Sequence, residues 1–178
     1  MRKYACTPML LLTVGSLLIF SCRKAANSAN SISLVTESNK VSVGSSGESA
    51  YNLEVVLRGN GNENGHIQFR QDADPAKIIT LATSLRHLLP NHEYQLQRAV
   101  DPANAVDGNC TSTSWLTLGL GLNPQTIMTN DKGDGEMELW RDVSAVPAGY
   151  RFDIHFQVID AVDQSVALTS NCYQYTVR

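Results

Sequence analysis

The chain has 178 residues and a formal net charge of −3 at pH 7, with 17% charged residues. This acidic balance excludes the broad basic surface on which nucleic-acid binding depends, so we predict no nucleic-acid partner. Without Arg2 and Lys3 the basic count falls from 14 to 12 against 17 acids, so the net charge becomes about −5.

The first 22 residues have the pattern of an export signal. Arg2 and Lys3 precede an apolar run over residues 9–20, which is followed by Ser21 and Cys22. This run is shorter than the roughly 20 residues that cross a bilayer core. The pattern resembles a bacterial lipoprotein signal peptide, although Phe20 stands where that family prefers a small residue. The resemblance implies that residues 1–21 are removed and that Cys22 carries lipid; ordinary secretion and an uncleaved anchor are the alternatives.

Residues 22–50 are predicted to form a flexible tether. They are rich in Ser, Asn, Ala and Gly, and such a segment buries too little apolar surface to offset its ordering entropy. Arg23 and Lys24 follow Cys22, where an acid directs some lipoproteins to the cell exterior. The resemblance therefore implies the periplasmic face of the outer membrane, with the cell surface as the alternative.

Residues 51–178 have the length of one domain, and period-two alternation of apolar and polar residues dominates them. The predicted strands are 51–58, 67–71, 78–83, 94–100, 114–120, 125–129, 136–141, 150–159 and 166–177. Because Gly, Asn, Asp and Pro turns separate them at short intervals, we predict an all-β, antiparallel β-sandwich.

One motif narrows the type of sandwich. Leu88, Pro90 and Tyr94 match the spacing of a tyrosine corner, in which the phenol hydroxyl bonds back to the backbone where the chain turns. The motif resembles the corner of fibronectin type III and other immunoglobulin-like domains. This resemblance implies a Greek-key, immunoglobulin-like sandwich, and another jelly-roll-like β-sandwich is the alternative.

The cysteines predict one structural disulfide. Cys6 leaves with the signal peptide and Cys22 is lipidated, which leaves Cys110 and Cys172 to pair in an oxidising compartment. A redox role is disfavoured because redox pairs are closely spaced.

Catalytic motifs are not found in the sequence. His92-Glu93 begins like a zinc-protease motif, but Leu96 occupies the place of the second histidine. The chain has no Gly-x-Ser-x-Gly nucleophile elbow, and its four histidines are scattered. We therefore predict a non-catalytic protein.

A metal site is a minor hypothesis. If each predicted strand crosses the domain once, loops alternate between its two ends, which would gather loops 71–75, 101–113, 130–135 and 160–163 at one end. The densest of these supplies oxygen donors suited to calcium: Asn130, Asp131, Asp134 and Glu136. The alternative is that Asn, Asp and Gly simply make a tight turn there.

Two tryptophans are candidates for a glycan-binding face, because sugar rings stack on exposed aromatic planes. Alternation in strand 136–141 puts Trp140 on the polar side with Glu136 and Glu138. Trp115 opens strand 114–120 and is the second candidate, although a core position is its alternative.

The sequence therefore predicts a membrane-anchored, non-catalytic lipoprotein whose sandwich binds a protein or glycan partner. A structural envelope module without a ligand site and a calcium- or metal-dependent activity at the acidic loops are the alternatives.

Overall fold

A computed structural model describes residues 51–178, which form an all-β fold with one short 3₁₀ helix, Ala103–Ala105. The predicted signal peptide, the lipidation residue Cys22 and the tether lie outside the described residues. The strands are β1 Asn52–Arg58, β2 Asn64–Gln71, β3 Ile78–Arg86, β4 Glu93–Val100, β5 Leu116–Thr117, β6 Gly119–Leu120, β7 Asn123–Pro124, β8 Ile127–Met128, β9 Gly135–Asp142, β10 Arg151–Asp160, β11 Val166–Ser170 and β12 Tyr173–Thr176. None of the described residues belongs to a helix that is long and apolar enough to cross a bilayer.

Alternation along the strands builds the core. In β2, Ile67, Phe69 and Gln71 are buried, while the alternating residues Gln68 and Arg70 are exposed or partly exposed. The same period in the neighbouring strands sends a second set of side chains inward: Val55, Leu57, Ile79, Leu81, Leu85, Leu96, Leu139, Ile154, Phe156 and Val158. Full burial of each such side chain contributes about 1.5–3 kcal/mol, so this single cluster holds the strands together.

The strands form one mixed sheet that is nearly closed into a barrel or sandwich. Its order is β5-β4-β10-β11-β1-β2-β3-β9-β6-β7, and every pair is antiparallel except β6 with β9. β5 pairs with β4 while β6 pairs with β9, and only Leu118 separates β5 from β6 in the chain. The chain therefore bridges the two ends of the sheet at this point, where the Leu118 N–H donates to the Leu96 carbonyl at 2.8 Å.

Two predicted strands differ in extent from the observed ones. Segment 114–120 divides into β5 and β6, and segment 125–129 is reduced to β8, with β7 between the two segments. Pro124 has no N–H to continue a ladder, and a side chain at Gly119 would collide with the Asn123 carbonyl. The predicted strand 166–177 also divides, into β11 and β12, at Asn171 and Cys172.

The expected gathering of the four acidic loops at one end is also wrong. β5 pairs with the middle of β4 and β8 with its first residues, so β5 to β8 together cross the domain once rather than twice. Loop 130–135 consequently lies beside the start of β4, where the Asn91 N–H donates to the Asn130 carbonyl at 3.0 Å. Loop 160–163 shares that end because Asp160 pairs with Tyr94, while loops 71–75 and 101–113 lie at the opposite end.

The tyrosine-corner motif makes the hydrogen bond that its spacing predicts. The Tyr94 hydroxyl accepts the Leu89 N–H at 3.1 Å, and the Tyr94 ring is buried beside Leu88 in the core, which raises the pKa of its phenol. Pro90 is exposed at the turn. This bond fixes the loop that leads into β4.

Candidate functional site

The exposed side of β1, β2, β3 and β9 is a mainly polar face of the sheet, and we call it the outer face. Strand register arranges its side chains in rows that run across the four strands. The rows are Asn52–Arg70–Thr80–Trp140, Glu54–Gln68–Ala82–Glu138 and Val56–His66–Ser84–Glu136.

Short side chains on β3 make a trough along the outer face. Thr80, Ala82 and Ser84 form its floor, because the longer residues of β2 and β9 rise on either side of them. An open hollow of about 510 Å³ lies over Ala82 and Ser84. Its walls are His66 and Gln68 on one side and Glu136 and Glu138 on the other, with Arg86 at one end.

Ion pairs hold the walls of the trough in place. Glu54 binds both His66, at 2.7 Å, and Arg70, and Arg86 binds Glu136. The hydrogen bond from Arg86 to Glu136 raises the pKa of the guanidinium. Such exposed pairs add little to stability, so their main effect is to fix the positions of side chains in the walls of the trough.

The charges of the outer face nearly balance. Its acids are Glu54, Glu136, Glu138 and Asp142, and its permanent bases are Arg58, Arg70 and Arg86. A face with both signs in nearly equal numbers offers hydrogen-bond donors and acceptors without a strong net field. It therefore suits a hydroxyl-rich, uncharged ligand better than a polyanion.

Trp140 lies at the other end of the trough, beside Thr80 in the register. It is 39% exposed and shares the outer face with Glu136 and Glu138, as alternation predicts. Its indole lies over Gly121, where an added Cβ would come within 2.7 Å of the ring. The turn after β6 thus supports the ring from one side and leaves the rest of it accessible.

Trp115 does not belong to the outer face. Its ring is partly buried against His155 of β10, with 4.7 Å between ring centroids. The His155 Nε2 atom lies 2.9 Å from the Ser112 carbonyl, so the loop before β5 packs on this histidine. The structure therefore separates the two predicted binding tryptophans.

The oxygens of the predicted metal loop take part in a tight turn. Asn130 Oδ1 accepts the N–H groups of Lys132 and Asp134, at 2.8 and 3.0 Å, and Glu136 pairs with Arg86. Asp131 is exposed. Among residues 51–178, no three His, Cys, Asp or Glu side chains lie close enough together to hold a metal ion.

Buried aspartates elsewhere stabilise loops. Asp101 accepts the N–H groups of Thr111 and Ser112, at 2.8 and 2.6 Å. Asp153 accepts those of Asp107 and Gly108, both at 2.7 Å. Together these two carboxylates fix both halves of the loop that contains Cys110.

The predicted disulfide is confirmed. Cys110 and Cys172 are bonded, with their Cα atoms 5.4 Å apart and a sequence separation of 62. The bond joins the loop after β4 to the turn between β11 and β12.

Sequence reasoning missed most of the trough. The sequence signal for the trough is the alternation of exposed and buried residues in β2 and β3. The trough residues on these strands are His66, Gln68, Arg70 and Arg86. This alternation shows that they are on one face of each strand, whereas the trough depends on the pairing of β2, β3 and β9 across long sequence separations.

No protein-family model matches the chain, and none of the curated proteins matches it either.

Proposed function

We propose that the protein is a membrane-anchored, non-catalytic module that binds a neutral glycan chain along the trough of the outer face. The observation that carries the proposal is the floor of small residues on β3, flanked by hydrogen-bonding side chains and ending at Trp140. Planar polar groups such as Gln68 and Glu138 pair well with vicinal hydroxyls, and the face of an indole attracts the C–H groups of a sugar ring.

The dimensions of the trough favour an oligosaccharide over a single sugar. β2 and β9 flank β3, so the walls are about 10 Å apart at the usual strand spacing. From Thr80 to Arg86 the trough runs about 20 Å at the usual rise per residue. It is open along this length, which suits an extended chain that lies on the surface.

The binding test uses affinity gel electrophoresis of the full-length protein against a panel of neutral polysaccharides, with acidic polysaccharides for comparison. We expect retention by at least one neutral glycan. Trp140→Ala should weaken this retention about tenfold, which corresponds to about 1.4 kcal/mol. Trp115→Ala is the matched control and should leave retention unchanged.

A second variant tests the floor of the trough without removing an aromatic residue. Ala82 is exposed, so Ala82→Phe should fold normally while filling the trough and abolishing retention. Ala148→Phe, at an exposed position in the loop after β9, is its control. If the folded wild-type protein is retained by no polysaccharide, or if Ala82→Phe binds like the wild type, the glycan proposal is wrong and a structural envelope role becomes the better explanation.

The proposed anchor is the lipid on Cys22, at the outer membrane and on its periplasmic face. Its support is the signal-like segment in residues 1–22, together with the Cys110–Cys172 disulfide, which favours an oxidising compartment. The bond from the Leu89 N–H to the Tyr94 hydroxyl likewise supports the immunoglobulin-like, Greek-key type that the sequence predicts.

Acyl-chain labelling and membrane fractionation test the anchor. We expect Cys22→Ala to lose the label and to leave the membrane fraction, whereas Cys110→Ala should keep both. Proteolysis of intact cells then distinguishes the faces, since a periplasmic protein is protected and a surface protein is cut. A labelled or membrane-bound Cys22→Ala would contradict the proposal.

A further inference from the structure

Two arginines point into the apolar interior of the sheet. In β4 the inward positions are Tyr94, Leu96 and then Arg98, and Arg98 pairs across the strands with Phe156. In β9 the inward residue Leu139 is followed by Arg141 at the next inward position. An arginine on the core side of a strand is unusual, because its charge loses hydration there.

Both arginines line one cavity of about 290 Å³. Most of its wall is apolar, with Leu81, Leu118, Ile154 and Phe156 among the contributors. It lies at the end of the domain where β4 finishes and β10 begins, under the loop after β9, whose Val143 and Val146 also line it. A cavity of this kind at the mouth of a nearly closed sheet is a usual place for a small ligand.

Neither guanidinium in this cavity forms an ion pair with an acid of residues 51–178. Hydrogen bonds from Ser144 and, to a lesser extent, the charge of Arg141 lower the pKa of the adjacent Asp142 carboxyl. Within the described part of the chain, Arg98 makes no ion pair or side-chain hydrogen bond, and Arg141 makes only the bond from Nη1 to the Gly121 carbonyl at 3.1 Å. Burial lowers the pKa of Arg98, and the positive charge of Arg141 lowers it further.

One acid reaches the edge of the cavity. Asp142 is among its lining residues, but its carboxylate accepts the Ser144 N–H at 2.7 Å and forms no ion pair with either guanidinium. The cavity thus combines an apolar wall with two cationic groups that lack a carboxylate partner within residues 51–178.

We propose that this cavity binds a small amphiphilic carboxylate, with its carboxylate between Arg98 and Arg141 and its apolar body against Ile154 and Phe156. A guanidinium binds a carboxylate through paired, charge-assisted hydrogen bonds, and a buried anion would relieve the repulsion between the two arginines. The volume is at the lower limit for small-molecule sites, which selects a compact acid such as a medium-chain fatty acid or an arylalkanoic acid. This site is separate from the outer face.

Calorimetric titration of the full-length protein with octanoate tests the site, and 1-octanol, with the same chain and no charge, is the comparison ligand. We expect saturable binding of octanoate at least tenfold tighter than that of octanol, with methyl NMR shifts at Leu118 and Ile154. Arg98→Met keeps the length and apolar contacts of the side chain and should remove the preference for octanoate. Arg58→Met, on the outer face, should keep it.

Further variants keep the test decisive. If Arg98→Met does not fold, Arg98→Lys should bind octanoate with reduced affinity and Arg141→Gln should show the same loss. Trp140→Ala should bind octanoate like the wild type, which separates this site from the glycan site. Equal binding of octanoate and octanol, no binding of octanoate, or an unchanged preference in both Arg98→Lys and Arg141→Gln would overturn the proposal.

Discussion

At the residue scale, Asp160 shows how a single carboxylate links three segments. It is buried at the end of β10, and its Oδ1 atom accepts the Val162 N–H at 2.7 Å. Its Oδ2 atom lies 2.6 Å from His92 Nε2, in the loop before β4. The N–H of Val162, with that of Asp163 and with His92, lowers the pKa of the Asp160 carboxyl.

This shift predicts a loss of stability in acid. Because the folded-state pKa is depressed, the stabilisation is present above the unfolded value of about 3.9 and is lost as the pH falls through the folded value. Asp160→Asn should therefore melt at a lower temperature than the wild type near pH 7, and the difference should shrink as the pH falls below about 4.

Melting curves across this pH range, with Asp72→Asn as the control, measure the effect. Asp72 is exposed and its carboxylate makes no hydrogen bond among the described residues, so its substitution should change little at any pH. If the melting temperatures of the wild type and of Asp160→Asn differ by the same amount from pH 7 to pH 2, the role assigned to this carboxylate is wrong.

At the element scale, the turn between β8 and β9 is attached to the loop between β3 and β4. The Gly133 carbonyl accepts the Leu88 N–H at 3.0 Å, and Gly133 has a φ of 80°. A Cβ at this position would lie only 2.0 Å from the Leu88 carbonyl oxygen. Both the backbone conformation and the close approach therefore require glycine.

Gly133→Ala should be strongly destabilising, and Gly149→Ala separates its two causes. Gly149 has a similar φ of 82°, but nothing lies within 4 Å of an added Cβ. Gly149→Ala should cost only the left-handed strain, about 1–2 kcal/mol. Gly133→Ala should cost at least about twice as much because the turn must also move away from Leu88. Urea unfolding gives the loss in free energy of unfolding for each variant. Equal losses would show that the close approach of Gly133 to Leu88 contributes nothing.

The strands differ in how far the sequence could predict them. Period-two alternation predicts β1 to β4 and β9, because each of them has several residues with one more deeply buried face. The sequence of β10 alternates too, although its residues from Phe156 to Asp160 are buried on both faces. The two-residue strands β5 to β8 carry no period, and contacts across the closing sheet determine their positions.

The candidate sites were predictable to a similar extent. Alternation places Trp140 outward, and the same rule applied to Tyr94 and Leu96 places Arg98 inward. Neither the trough nor the meeting of Arg98 with Arg141 follows from one strand, because each depends on pairing between residues far apart in sequence.

At the scale of the whole molecule, the Cys110–Cys172 bond restrains the unfolded chain more than any local contact. Closing 62 residues of chain should stabilise the fold by about 4 kcal/mol on the chain-entropy model. In urea unfolding, the free energy of unfolding of the Cys110→Ala/Cys172→Ala double variant should be lower than that of the wild type by this amount. Reductant should lower the free energy of unfolding of the wild-type protein to that of the double variant. It should leave the double variant unchanged.

The fold should nevertheless survive reduction. Asp101 and Asp153 hold the loop around Cys110 through four backbone N–H groups, so the native hydrogen bonds there do not depend on the disulfide. Wild-type protein whose thiols are fully reduced but whose stability is unchanged would contradict the expected contribution.

The two ends of the described chain lie together, and this has a mechanical consequence. Tyr51 lies under the Arg178 guanidinium, 4.8 Å from it, and the Arg178 N–H donates to Gln71 Oε1 at the end of β2. If the proposed lipid on Cys22 anchors the protein, a pull on the chain before Tyr51 would enter at the first residues of β1, and a pull directed along that strand would be opposed by its pairing with β2. Its bonds to β2 run across the direction of pull, so they would be loaded in shear all at once rather than opened one by one. A domain held by its amino-terminal end and gripping a ligand on β3 would resist that force with the whole length of β1.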